Sequence, residues 1–434
     1  MSLGRPLRTT AVLLAVATAV FGGAQAGSAA AADEHAAPAA ARWLADQLVD
    51  GNHLETAFGG QTYPDQGLTA DAVLAFDAAD TAQDAAKAAT AWLSGPDVLP
   101  FYVGDGDLES YPGALAKLAL VAIAQGEDPA AFGGVNLIER LAARLDPATG
   151  RFSDKSQYGD FTNGITQSLA IIALLRAGTP AADLTAPVDF LVASECPDGG
   201  FPLEFGKQPC ASDVDTTGFV IQALLAADRD TAAEAALDHL EAVQDGGGGF
   251  GGSGPTSAVN ANSTGLAAQA LRVGGRTEAA DAAVQYLLDR QVGCEGPTEQ
   301  RGAISYDASG FEQSTAVRAT AQALYGLTGT GLSTIDNSGD AATAPALDCA
   351  PPTSSTSPTT TTAVTTTATT TATATTPTAT AQPSTRAVAA GTGELPATGA
   401  RTRPATALGV LLLLAGGAAL LLSRRRRTAA GERP

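Results

Sequence analysis

The sequence predicts an all-α fold in which six helical hairpins close into a ring, an α6/α6 toroid. Three observations support this prediction. First, an apolar helix that ends in Leu recurs every 46 to 54 residues, at Leu74, Leu120, Leu174, Leu224, Leu271 and Leu324. Second, a more amphipathic helix precedes each apolar one. Third, the series stops at six copies without the polar capping repeats that an open solenoid needs.

The two kinds of helix predict two concentric layers. Helices that are apolar on nearly all faces, such as residues 165–175, 218–226 and 266–271, must be buried on every side and form the inner layer. The amphipathic helices keep polar residues outward and form the outer layer. They are predicted at residues 39–49, 81–93, 136–145, 187–193, 231–243 and 277–291.

Loop lengths distinguish the two ends of the ring. Connections from inner to outer helices are short, as at residues 228–230 and 273–276, whereas connections from outer to inner helices are long, as at 196–214 and 246–260. All the long loops must therefore emerge at one mouth of the ring, where ordered loops commonly carry function. The inner helices also begin there, so their unpaired N–H groups converge on the same mouth.

The chain is predicted to begin with a signal peptide over residues 1–32, followed by the toroid over residues 33–350. Arg5 and Arg8 precede an apolar stretch at 11–21 that is too short to span a membrane, and small residues suited to cleavage follow it. The protein is therefore expected to be exported.

The C-terminal part predicts an anchor. Residues 351–394 are dominated by Thr with Ala, Pro and Ser, so we expect a disordered stalk. Residues 395–434 contain Leu395-Pro396-Ala397-Thr398-Gly399, an apolar span at 405–422 and four Arg at 424–427. This order resembles the LPxTG sorting signal of sortases with its transmembrane helix. The resemblance implies that sortase cleaves after Thr398 and links the protein to peptidoglycan, at the cell wall.

The net charge limits the possible binding partners, and the cysteine content limits the possible disulfides. The net charge of −20 disfavours nucleic acid as a partner, because an acidic surface repels phosphates. Four cysteines in an exported chain indicate two disulfides, with three possible pairings. We predict Cys196–Cys210, which closes the loop before the fourth inner helix, and Cys294–Cys349, which ties the last outer helix to the end of the domain.

The Gly-Gly-Phe turn, followed by an apolar helix with an Asp, Asn, Ser or Thr cap, resembles the repeat of prenyltransferases and squalene cyclases over residues 37–328. The resemblance implies an α/α toroid. Squalene-type cyclases carry a DxDD motif whose middle acid protonates the polyene. Asp213 and Asp215 match its first two acids, and Thr216 replaces the third. Helix capping is nevertheless the preferred role for these acids, since the next repeat has Asn260-Ala261-Asn262 in register, and acid catalysis is the alternative.

No cofactor is predicted, with calcium as the one alternative. None of the histidines, His35, His53 and His239, pairs with a Cys at zinc-ligand spacing. The Gly-rich loop that carries Asp105, Asp107 and Glu109 offers the oxygen ligands that calcium prefers, although its spacing is not that of an EF-hand.

The expected site is the long-loop mouth. Its candidate residues are Asp71, Tyr111, Asn163, Phe201, Phe205, Asp215, Asn262, Tyr306 and Gln313. Polar groups with a few aromatics suit the binding of a small molecule or a protein partner, so a non-catalytic binding module displayed on the wall is the preferred interpretation. The alternatives are a terpene-cyclase-like or carbohydrate-active enzyme that uses Asp213 and Asp215, and a purely structural wall module.

Overall fold

The computed structural model describes residues 25–349. In chain order its α-helices are α1 (Gln25–Ala45), α2 (Gln66–Ala78), α3 (Gln83–Leu93), α4 (Leu99–Val103), α5 (Pro112–Ala124), α6 (Leu137–Ala142), α7 (Gly164–Arg176), α8 (Thr185–Val192), α9 (Val214–Ala226), α10 (Asp230–Val243), α11 (Ala261–Val273), α12 (Thr277–Leu288) and α13 (Gln313–Thr328). A hairpin of β1 (Glu55–Phe58) and β2 (Gln61–Pro64) lies in the first long loop. The hairpin and α4 were not predicted.

Six of these helices form a closed inner ring. They are α2, α5, α7, α9, α11 and α13; each contacts the next, and α13 contacts α2. The apolar side chains of these helices are almost completely buried, as their composition requires. The amphipathic helices α1, α3, α6, α8, α10 and α12 pack outside them. The predicted two-layered toroid is therefore confirmed for the described residues.

A recurring Thr attaches each long loop to its inner helix. In four repeats a backbone N–H just after the turn donates to the hydroxyl of a Thr in the first turns of the inner helix, at 2.9–3.0 Å: Leu54 to Thr69, Phe201 to Thr217, Phe250 to Thr264, and Ile304 to Thr320. This bond satisfies a buried amide and leaves the residue after the turn in the core. Phe201 is consequently fully buried, so its predicted place at the ligand mouth is wrong.

The Gly that follows this Thr in two repeats lets neighbouring inner helices approach closely. A Cβ atom on Gly265 of α11 would lie 2.2 Å from the backbone oxygen of Gln322 on α13. A Cβ atom on Gly218 of α9 would lie 3.2 Å from the backbone oxygen of Leu266 on α11. The Thr-Gly pair of the repeat therefore serves packing within the ring.

After α13 the chain crosses the opposite end of the ring, where the inner helices end. We call residues 329–349 the tail segment. Gln222 accepts a hydrogen bond from the backbone N–H of Leu332 and donates to Gln269, which in turn donates to the carbonyl of Thr330. These two Gln belong to the recurring Gln-Ala-Leu sequence, whose role was not evident from the sequence. Here they hold the tail segment.

The predicted bridge Cys196–Cys210 is present, with the two Cα atoms 5.6 Å apart. Cys294 and Cys349 are also disulfide-bonded. Most of the predicted signal peptide, the Thr-rich stretch at 351–394, the Leu395–Gly399 motif and the apolar span lie outside the described residues. Within residues 25–349, no helix combines the length and apolarity that a membrane span requires.

Candidate functional site

Asp213 caps the N-terminus of α9 and both of its carboxylate oxygens are occupied. One oxygen accepts from the backbone N–H of Thr216 at 2.8 Å and from the Thr216 hydroxyl at 2.6 Å. The other accepts from the hydroxyl of Ser253, which lies on the next long loop, at 2.7 Å. This confirms the capping role of Asp213.

Asp215 lies two residues further along and has a different environment. Its Oδ1 atom is buried and has no hydrogen-bond partner among the described residues. Burial, followed by the negative charge of Asp213, raises the pKa of Asp215 to about 7, although the nearby Ser263 hydroxyl acts in the opposite direction. The residue remains half-buried at the mouth. Asp215 is therefore a partly buried carboxyl that keeps its proton to a higher pH than an exposed Asp does.

Two further predicted residues lie at the same level. Asn262 occupies on α11 the helix position that Asp215 occupies on α9, and its Oδ1 atom is also buried without a partner among the described residues. Burial, then the charge of Asp215, raises the pKa of the Tyr306 phenol, so Tyr306 lies close to that carboxyl. The structure therefore brings together three of the predicted mouth residues.

The layer beneath them divides into a charged and an apolar arc. The sixth residues of the inner helices are Asp71, Lys117, Leu169, Phe219, Leu266 and Arg318. The charged residues Arg318, Asp71 and Lys117 lie on the consecutive helices α13, α2 and α5. The apolar residues Leu169, Phe219 and Leu266 lie on α7, α9 and α11. The position is four residues after Asp215 in α9, so Phe219 lies on the same helix face as that acid.

The charged arc is internally paired. Lys117 Nζ lies 2.6 Å from Asp71 Oδ1, and Arg318 Nη2 lies 2.9 Å from Asp65 Oδ2. The Lys117 and Arg318 side chains keep 20% and 26% of their surface exposed. Burial raises the pKa of the neighbouring Tyr102 phenol to about 12. Asp71 is therefore not a rim residue as predicted but one half of an ion pair inside the ring.

Lys117 and Arg318 were missed because the predicted mouth residues were acids, amides and aromatics. Their shared helix position with Asp71 was the available signal.

Four other predicted mouth residues, Asn163, Tyr111, Gln313 and Phe205, contact neighbouring residues of the loops and the outer layer. Asn163 caps α7 and accepts from the N–H of Thr166 at 3.0 Å, and the Tyr111 hydroxyl bonds to Glu109. Gln313 donates to Gln47, next to the outer helix α1, at 2.8 Å.

Phe205 packs edge-on against Phe190 of the outer helix α8, with ring centroids 4.9 Å apart, and Arg151 covers the same ring. Phe205 therefore stabilises the disulfide-closed loop on the outer layer, and its predicted place at the ligand mouth is wrong.

The acidic Gly-rich loop is organised by one carboxylate. Asp105 Oδ1 accepts from the backbone N–H groups of Asp107, Leu108 and Glu109 at 2.8–3.0 Å. These backbone hydrogen bonds lower the pKa of Asp105. In the part of the chain that the structure describes, no group of three or more acidic, His or Cys side chains could hold a metal ion. The calcium alternative remains a prediction.

Two cavities accompany the ring, and Asp215 lines neither. The larger, of about 620 Å³, lies among α5, α6 and α7 and is lined by residues such as Ile123, Ile138 and Leu174. The smaller, of about 400 Å³, is lined by Ser305 and Asp307 on either side of Tyr306 in sequence. The second cavity therefore borders the loop that contributes to the mouth.

The fold is similar to that of several solved structures. A protein from Actinoplanes has a TM-score of 0.50 at 15% identity, over 68% of this chain and 99% of that one. The ligand-free type II terpene cyclase MstE from Scytonema has a TM-score of 0.51 at 14% identity, over 69% and 97%. A variant of MstE in complex with its substrate, geranylgeranyl dihydroxybenzoate, has a TM-score of 0.52 at 13% identity, over the same shares. No family model and no curated protein matches the sequence.

These comparisons establish the α/α toroid, since identities this low speak for the fold alone. They also correct one expectation. The sequence made a non-catalytic binding module the preferred interpretation, whereas MstE, a solved structure of similar fold, is an enzyme. The mouth moreover holds a carboxylic acid that is suited to proton transfer. The preference for a non-enzyme was therefore wrong.

Proposed function

We propose that this chain is an enzyme in which Asp215 acts as a general acid on an amphiphilic, isoprenoid-type substrate bound inside the mouth of the ring. The observation that carries the proposal is the Asp215 carboxyl, whose pKa is raised to about 7 by burial and which has an unpartnered, buried oxygen. Two neighbouring acids in different environments can divide the roles of proton donor and fixed charge. Asp213 supplies the fixed charge.

The chemistry needs only this chain's own groups. The acidic proton passes from Asp215 to the less substituted carbon of the substrate's terminal alkene, which forms a C–H bond and leaves positive charge on the adjacent, more substituted carbon. The π electrons of a second alkene then close a ring, and a proton is lost to end the reaction. Phe219, one helical turn below Asp215, presents an aromatic ring near the developing charge. Asp215 regains its proton from water at the mouth.

The two arcs of the inner ring support the amphiphilic substrate. Leu169, Phe219 and Leu266 offer an apolar wall under the acid, whereas Lys117 and Arg318 offer donors to a polar or anionic group on the other side. The MstE substrate, geranylgeranyl dihydroxybenzoate, combines an isoprenoid chain with a polar ring. It is therefore the first probe to use.

The test is proton transfer from solvent. The full chain is incubated in D₂O with geranylgeranyl dihydroxybenzoate and with geranylgeraniol, and products are analysed by mass spectrometry and NMR. We expect a cyclic product that carries one deuterium at the former terminal alkene carbon. Absence of conversion for both, or a cyclic product without deuterium, would reject the proposal. Hydrolysis of a glycan that depends on Asp215 would instead support a carbohydrate-active enzyme.

We also propose that the protein is exported and linked to peptidoglycan by sortase, on the strength of residues 1–32 and 395–434. Changing Leu395 and Pro396 to Ala should move the protein from the wall fraction into the membrane or the medium, because the motif is then unreadable by sortase. The control changes Thr376 and Thr378 to Ala in the Thr-rich stretch and should leave the protein in the wall. Wall linkage that survives the change of Leu395 and Pro396 would contradict the proposed linkage by sortase.

A further inference from the structure

We propose that Asp77 and Asp340 form a protonation-controlled latch, which holds the tail segment across the ring while the pair keeps a proton and releases it when both carboxyls are ionised. Asp77 lies near the end of the inner helix α2, and Asp340 lies in the tail segment. The proposal is independent of the chemistry at Asp215, which lies at the other end of the ring.

The side-chain amide of Gln83 donates hydrogen bonds to both acids. Gln83 Nε2 donates to Asp77 Oδ1 at 2.7 Å and to Asp340 Oδ2 at 2.8 Å. Gln125 Nε2 donates to the same Asp77 oxygen at 2.6 Å. The remaining oxygens, Asp77 Oδ2 and Asp340 Oδ1, are buried and have no hydrogen-bond partner among the described residues. A proton on either oxygen would supply a donor where the pair now has only acceptors.

The surrounding charges do not neutralise the pair. The charged and titratable groups that face it are Asp80 and Asp336, which are acidic, Arg176 and Lys87, which are basic, and the phenol of Tyr325. Arg176 directs its guanidinium to the carbonyl oxygens of Leu332 and Ile335, at 2.9 and 2.6 Å. No ion pair joins a cation to Asp77 or Asp340 in the described part of the chain.

The pKa values of Asp77 and Asp340 are both raised, as this geometry leads us to expect. Burial, and then the charges of Asp340 and Asp336, raises the pKa of Asp77 from 3.8 to about 7, against the hydrogen bonds from the two Gln. Burial, and then the charges of Asp80 and Asp336, raises the pKa of Asp340 from 3.8 to about 6. The seated tail thus binds protons more tightly than the released tail. The stability that the two carboxyls give to the seated tail is fully present below about pH 4, and it is lost as the pH rises through 6 to 7.

Hydrogen bonds to α3 and α5 also hold the segment beside Asp340. The N–H groups of Gln83 and Asp84 donate to the carbonyls of Ala341 and Ala342 at 3.1 and 2.9 Å, and the Asn337 side chain donates to the carbonyl of Gln125 at 3.2 Å. Next to Asp340, the N–H of Ala341 donates to the carbonyl of Asp80 at 3.0 Å, and the N–H of Asn337 donates to the carbonyl of Ala124 at 3.0 Å. At the far end, Leu332 is held by Gln222. Repulsion between two ionised carboxylates should therefore loosen residues 336–341 first.

Hydrogen exchange of the full chain tests the latch. The readouts are the amides of Asn337 and Ala341, measured at pH 5.5 and pH 8.5 and corrected for the intrinsic pH dependence of exchange. In the unaltered protein we expect their protection to fall by about tenfold or more, the equivalent of one pKa unit. In Asp340→Asn and Asp77→Asn the fall in protection should be smaller than in the unaltered protein, because two ionised carboxylates no longer repel each other and only the burial of the remaining carboxyl opposes its ionisation.

Asp183→Asn, which removes an exposed charge at the same end of the ring, is the matched control and should behave like the unaltered protein. Equal protection of the unaltered protein at both pH values would overturn the proposal. So would loss of protection in both variants already at pH 5.5, since the pair would then be a fixed hydrogen-bonding site.

Discussion

Replacing Asp215 by Asn should lower the turnover of the polyprenyl probe by about 10² to 10⁴, the usual contribution of a general acid, without unfolding the ring. The amide has nearly the same shape as the carboxyl but no acidic proton. The fold should tolerate it, because Asn262 already occupies the equivalent position of the next repeat. The measurement compares deuterium-labelled product formation with the thermal unfolding midpoint for the same preparation.

Asp213→Asn is the matched control. Asn caps inner helices at positions 163 and 260 in this chain, so the variant should keep its cap and its stability. It removes the negative charge that helps to raise the pKa of Asp215. Because only the protonated acid is active, the rate should fall as the pH rises through about 7, and this fall should occur at lower pH in the variant. Undiminished turnover of Asp215→Asn would show that another group is the acid.

Gly265→Ala should destabilise the ring by about 1–3 kcal/mol, the range for overpacking a tight contact. In an exposed helix the same change would stabilise by up to about 1 kcal/mol. Here the added Cβ would lie 2.2 Å from the backbone oxygen of Gln322, and a backbone atom cannot turn away as a side chain can. Helices α11 and α13 must separate, which opens the ring between its last two inner helices. The midpoint of urea unfolding measures the loss.

Gly246→Ala provides the comparison. A Cβ at Gly246 meets no atom within 4 Å, and the backbone does not need a positive φ there. Its effect should stay within about 0.5 kcal/mol. Equal stability of the two variants would mean that the inner helices adjust their spacing freely.

The sequence was sufficient for the features that are encoded locally. The apolar and amphipathic helices of the six repeats, the long-loop mouth and the bridge Cys196–Cys210 all depend on residues within about one repeat of each other. Helix periodicity, capping and loop length act over such distances, so the pattern reveals them. The hairpin at residues 55–64 was missed because a single short hairpin is a weak signal beside six helical repeats.

The site required the tertiary structure because its chemistry depends on residues that are far apart in the chain. The sequence alone presented Asp213 and Asp215 as a similar pair, and could not separate the satisfied cap from the unpartnered acid. Their difference depends on Ser253, which the ring brings in from the next loop. The ion pair of Lys117 with Asp71 joins residues 46 positions apart, and that of Arg318 with Asp65 joins residues 253 apart. Burial and charge act through space, so the sequence determined the ring while its closure decided which carboxyl keeps a proton.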